Sequence, residues 1–284
     1  MMKPSLSIAT DYAADTGDPS SALERIARAG FTHVHWCHHW CTDFIYGDAE
    51  VAQIGEWLRS FGLRLLDLHG SVGPEKNWWS PREHERLAGV ELVANRLAMT
   101  ARLGGDAVVM HVPGDPGCLP VRRSLDALEG VAHGHGVRIA IENGSFPALR
   151  ALFNEYDPAF VGLCYDAGHG NLVPDGLDHL DALKDRLIAL HLHDNDGLSD
   201  QHKPVFSGTV DWARLAGIIA RSPCAKCINM EVGIRNAEIK DEEQFLAAAY
   251  RDGLTLAAMI ADAGRPRPDQ RRARRNAHHG KGDA

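Results

Sequence analysis

Along most of the chain, short and nearly continuous apolar runs alternate with longer stretches whose apolar positions recur every three or four residues. The runs at 5–9 (SLSIA), 31–36 (FTHVHW), 63–69 (LRLLDLH), 106–111 (DAVVMH), 137–142 (VRIAIE), 160–166 (FVGLCYD), 187–193 (LIALHLH) and 226–232 (KCINMEV) predict strands. Parallel strands covered on both faces read in this way. Helical patterns lie between and after them, near 20–29, 48–61, 82–103, 120–133, 147–155, 177–185, 210–221 and 241–263. In the third, Leu87, Val90, Ala94, Leu97 and Ala101 keep helical spacing. Gly30, Gly62, Gly104 and Gly136 each separate a helix from the next strand, where a left-handed cap favours glycine. Eight βα units without a linker before residue 264 predict one α/β domain, a (β/α)8 TIM barrel over 1–264. A doubly wound open sheet would share the alternation, but no strand runs into a GxGxxG or Walker-type loop.

Composition narrows the functional classes. The 284 residues are 44% hydrophobic and 24% charged, with a net charge of −8. Residues 265–284 hold seven Lys/Arg against two Asp, which leaves the body near −13. An acidic body argues against a nucleic-acid partner, because neutralising phosphates needs Lys and Arg. The basic tail has too few large apolar residues to pack and reads as a disordered segment. No apolar stretch reaches the roughly 20 residues needed to span a bilayer. The N-terminus has no signal-peptide profile, and six cysteines in this length do not suggest a disulfide framework. The expectation is a cytoplasmic protein with no membrane partner; self-association is left open.

The polar residues that end the runs carry the chemistry. His69, His111, Glu142, Asp166, His191, His193 and Glu231 all fall at or near the carboxyl end of a predicted strand, where barrels of this type build their sites. A strand period of two puts His191 and His193 on one face. Clustered buried groups of this kind are costly unless a divalent cation or a satisfied polar network holds them. Glu142 and Glu231 would face each other across the barrel mouth, where two carboxylates can move protons on and off adjacent carbons. Asp166 adds a third carboxylate, and a loop can turn His169 back towards the site. This N/O set without thiolate suits Mn, Zn, Co or Fe(II). Asp200 and His202, in the polar loop after the seventh strand, are further ligands or a solvated pair. Lys203 is a candidate contact for an anionic substrate group. Trp36 and Trp40, in HVHWCHHWCTD, offer flat faces for a sugar or ring, and Trp78 and Trp79 either cover the same mouth or pack under a loop.

MHVPG, IENG, YDAGHGN, HLHDND, DQH and MEVG, taken in order, resemble the xylose isomerase-like barrel superfamily. That group contains sugar and sugar-phosphate isomerases and epimerases, inosose-handling enzymes and the endonuclease IV class. The resemblance covers strands three to eight. It implies one cation held by Glu142, Asp166, His191 (or His193) and Glu231, with the two glutamates as the proton-transfer pair and His169 touching substrate. The expected substrate is a small carbohydrate-like molecule, and the expected reaction passes through an enediolate. The endonuclease IV pattern implies up to three metals on nine ligands: His69, His111, Glu142, Asp166, His169, His191, Asp200, His202 and Glu231. It carries the alternative of a multinuclear hydrolase or lyase acting on a small phosphate ester. One departure stands out: many relatives carry Gly-x-Gly before the seventh helix, whereas this chain has Phe206-Ser207-Gly208.

Overall fold

The computed structural model describes residues 4–14, 17–142 and 144–265. The expected basic tail therefore lies outside the described residues, apart from Arg265. The strands are β1 (Ser7–Ala9), β2 (His33–Trp36), β3 (Arg64–His69), β4 (Ala107–His111), β5 (Arg138–Glu142), β6 (Val161–Asp166), β7 (Leu187–His191) and β8 (Asn229–Met230). All pair in parallel, in the order β7-β6-β5-β4-β3-β2-β1-β8. The barrel closes through Leu192, whose N–H donates to Asn229 O at 3.1 Å while its own carbonyl accepts from Glu231 N at 3.1 Å. The helices are α1 (Pro19–Ala29), α2 (Asp48–Ser60), α3 (Glu83–Leu103), α4 (Leu119–His135), α5 (Phe146–Glu155), α6 (Ala167–Asn171), α7 (Gly176–Leu183), α8 (Trp212–Ile219) and α9 (Glu242–Ala263). The (β/α)8 expectation is met, and Gly30, Gly62, Gly104 and Gly136 all adopt positive φ.

Alternation along the strands divides the core in two. Val108, Met110, Ile139, Ile141, Leu163 and Tyr165 pack outwards in the large cluster shared with the helices. Ala107, Val109, Ala140, Cys164 and Ala189 belong to a smaller separate cluster on the inner face. Small inward side chains leave room in the barrel for polar groups. Ser7 Oγ donates to Asn229 Oδ1 at 2.9 Å. Asp67 accepts from His35 at 2.7 Å and faces Lys226 Nζ at 3.4 Å. The chain after β7 is tied down by Asp194, which accepts from Asn195 N, Val210 N and Trp212 Nε1 at 2.9, 3.1 and 2.8 Å. In this loop Phe206 keeps a left-handed backbone, φ 71°. The departure from Gly-x-Gly thus leaves the turn in a glycine-like conformation that carries a side chain.

Candidate metal centre

The carboxyl ends of β5, β6, β7 and β8 bring four donors together. One ligand atom each from Glu142, Asp166, His191 and Glu231 lies within 4.8 Å of the other three. Both glutamates reach the same nitrogen: His191 Nδ1 is 2.9 Å from Glu142 Oε1 and 3.0 Å from Glu231 Oε2. Two further groups flank this cluster. On the β3–β4 side, His69 Nε2 and His111 Nε2 lie 3.5 and 3.1 Å from Glu142 Oε2. On the β6–β7 side, His193, Asp200 and His202 form a third group of close donors. His202 Nε2 is 3.3 Å from Asp200 Oδ2, and the rings of His193 and His202 stack at 4.0 Å.

His169 joins the clusters because Asp166 caps α6. Asp166 Oδ1 accepts the His169 backbone N–H at 2.7 Å, an N-cap bond that turns the chain back over the site. The ring then lies with Nδ1 3.2 Å from Asp166 Oδ2 and Nε2 3.1 Å from Asp200 Oδ2. Gly168 makes this approach feasible, since a Cβ there would overlap the His193 ring. All nine residues of the multinuclear pattern therefore converge on one region, and His193 joins them.

The residues fit a divalent cation. Glu142, Asp166, His191 and Glu231 are all buried, and three carboxylates crowd one imidazole. Glu231 Oε2 and His169 Nδ1 are buried without a partner in hydrogen-bond geometry, despite the short distances to their neighbours. Buried polar atoms left without a hydrogen-bond partner suit coordination. Burial opposes ionisation of Glu142, yet His191, ahead of His111 and His69, holds its carboxyl well below the usual range. Burial likewise opposes charge on His169, but Asp166 and then Asp200 push it up to about 11. His202 rises to about 10 against burial, chiefly through Asp200. A cation would supply the same charge balance from one point. The nearby thiols of Cys37 and Cys164 are pushed upwards by burial; Cys37 lies close to His35 and Glu231, and Cys164 to Glu142 and His191, as further groups of close donors.

A cavity of about 360 Å³ opens above the cluster, within the range of small-molecule sites. Glu142, Glu231, His69, His111, His169, Asp200 and His202 line it, and so does Trp40. The Trp40 ring is 4.9 Å from the His69 ring. Two sequence expectations are corrected here. Trp36 is 1% exposed, donates to Tyr46 Oη at 2.8 Å and borders a different pocket, because alternation along β2 turns it outwards. His193 is fully buried against Asp166 at 3.0 Å. It is placed as a donor of the cluster instead of a substrate contact. The Lys203 backbone is paired with that of Asp194 in both directions at 2.9 Å, and Lys203 is not among the residues that line this cavity. Trp78 is buried, donating to His111 O at 3.2 Å.

Sequence reasoning missed Asp11, Arg235 and Asn236 in the cavity wall, and the His35–Asp67 pair beneath it. The wall residues follow no strand period. His35 falls within the second predicted strand, but its partner Asp67 lies on another strand.

Residues 23–274 match the family model described as xylose isomerase-like TIM barrel. The chain is 31% identical over 279 residues to the uncharacterized protein y4fM of Sinorhizobium fredii (strain NBRC 101917 / NGR234), covering 85% of this chain and 89% of that one. Among solved structures it superposes on a D-tagatose 3-epimerase-like protein with TM-score 0.72 and 18% identity, covering 92% of this chain and 98% of the other. It also superposes on an L-ribulose 3-epimerase with TM-score 0.72 and 12% identity over the whole of both chains. At these identities the superpositions establish the shared fold.

Proposed function

The chain belongs to the xylose isomerase-like TIM barrel family, and from that premise we propose that it is a divalent-metal-dependent isomerase or epimerase of a sugar, sugar phosphate or related polyol or keto compound. One observation carries this reading. Glu142 and Glu231 belong to the four-donor cluster and also line the cavity, whereas Asp166 and His191 do not form its wall. This position supports a double role for the two glutamates, holding a cation and touching substrate. The names of the solved epimerases point the same way.

Glu142, Asp166, His191 and Glu231 would hold the cation. When bound, it supplies Lewis-acid stabilisation to a carbonyl oxygen and the neighbouring hydroxyl oxygen. Glu231 removes the proton from the hydroxyl-bearing carbon beside the carbonyl, leaving an enediolate; Glu142, protonated in the substrate complex, returns a proton to the opposite face of that carbon, or to the former carbonyl carbon as the hydroxyl proton passes to the former carbonyl oxygen. His169 hydrogen-bonds a substrate hydroxyl, and Trp40 provides a flat apolar wall.

The flanking groups favour a second reading. His69 and His111 on Glu142, and His193, Asp200 and His202 beyond Asp166, suit two additional metals and hydrolytic or lyase chemistry. Elemental analysis of protein purified without chelator or His tag separates the two. One metal per chain supports the isomerase, with His69, His111 and His202 as auxiliary groups. Two or three support the multinuclear alternative.

A further inference from the structure

We propose that Arg235 anchors an anionic group of the substrate, a phosphate or a carboxylate, at the rim of the metal cavity. The inference rests on the reading of that cavity as the substrate site.

Among the described residues, the cavity wall holds, besides its histidines, the carboxylates Asp11, Glu142, Asp200 and Glu231 and one arginine or lysine, Arg235. No described residue pairs with the Arg235 guanidinium through a hydrogen bond or an ion pair. Its backbone is nevertheless firmly held. Gly233 N donates to His202 O and Ile234 N to Tyr12 O, both at 2.8 Å. Lys240 Nζ donates to Arg235 O at 2.8 Å, and the Asn236 amide donates to Gln201 O. The Gly233 bond joins this segment to the loop that carries Asp200 and His202. A fixed backbone thus holds Arg235, whose guanidinium has no partner among the described residues, in the wall that the candidate metal ligands also line. Guanidinium forms paired hydrogen bonds to carboxylate or phosphate, and preorganisation reduces the entropy lost on binding. A neutral sugar would leave this group facing water, whereas an anionic one would pair with it and offset the repulsion of the wall carboxylates.

The test is calorimetric titration of the metal-loaded protein, and of R235Q and R235K at matched metal content, with inorganic phosphate, acetate and neutral glycerol. The expected result is that one of the anions binds the native protein and binds R235Q roughly tenfold or more weakly, with R235K in between and glycerol indifferent. Loss confined to phosphate assigns a phosphate ester; loss confined to acetate assigns a sugar acid. Equal anion affinity in native protein and R235Q, or no anion binding by the native protein, overturns the proposal. The titration involves no turnover, so its failure leaves the proton-transfer reading standing. Failure of isotope exchange in the native protein, conversely, leaves the anion site standing.

Discussion

His35 and Asp67 meet inside the barrel, where the Nδ1–H of His35 donates to Asp67 Oδ1 at 2.7 Å and both side chains are buried. The His35 ring lies 4.4 Å from that of His191, so this pair supports the ligand cluster from below. Lys226 Nζ faces the other oxygen of Asp67 at 3.4 Å. Burial works against the charged carboxyl, but Lys226 and then His35 hold it well below the usual range. Breaking a buried pair leaves its partners uncompensated, at a cost of about 3–5 kcal/mol. Asp67→Asn should destabilise by that order in urea denaturation with the same metal present. Because the folded pKa is depressed, the contribution of Asp67 is complete above the ordinary carboxylate pKa of about 4. It is lost as pH falls through the folded value. The gap between native and D67N stability should therefore be flat near neutrality and narrow in acid. A gap that widens in acid would contradict the assignment.

Metal binding should stabilise the fold, because the ligand cluster exists only in the folded chain. At a free metal concentration 100 times Kd the gain is about 2.7 kcal/mol, visible as a rise in Tm on adding Mn or Zn after chelation. Glu142 participates in both the four-donor cluster and the His69–His111 group. E142A should therefore abolish the shift, whereas H69A should reduce it. An unchanged shift in E142A would remove Glu142 from the ligand set.

The loop after β7 makes a paired prediction. A Cβ at position 208 would overlap the Asn195 carbonyl and the Asp194 carboxylate. Overpacking of this kind costs about 1–3 kcal/mol, so G208A should lower stability by about that amount and disturb the segment leading to Asp200 and His202. At Phe206, φ 71° is unfavourable for a bulky residue. The ring also packs 5.6 Å from Trp212. F206G relieves the backbone and removes that contact, so its net effect should stay within about 1 kcal/mol. Thermal unfolding of the two variants side by side reads both.

The barrel was legible because the strands are covered on both faces and alternate regularly with helices, although in α3 Leu87 is exposed and the buried face runs instead through Leu92, Val93, Leu97 and Met99 with Arg86 and Arg96. β8 is the exception: seven residues fit the pattern, yet only Asn229 and Met230 form the strand. Those are the two residues that pair with Ser7 and Ile8 of the short β1, so the neighbour limits its length. α6 escaped notice because Gly168 and Gly170 weaken helix propensity, while the Asp166 cap favours the turn. Of the candidate ligands, those at strand ends were readable from position alone. Trp36 and Trp40 could not be separated without knowing where β2 stops, because one residue faces the helices and the other stands in the loop over the cavity. Arg235 sits in a short turn past the last strand, where no periodicity marks it.

The most direct test of the proton-transfer reading is proton NMR of ketoses, ketose phosphates and keto polyols incubated in deuterium oxide with metal-loaded protein and with E231Q at matched metal content. The account predicts that at least one substrate exchanges the C–H beside its carbonyl with the native protein and that E231Q loses this exchange while retaining metal. Exchange that persists at the native rate in E231Q would contradict the assignment of Glu231 as the group that removes the proton.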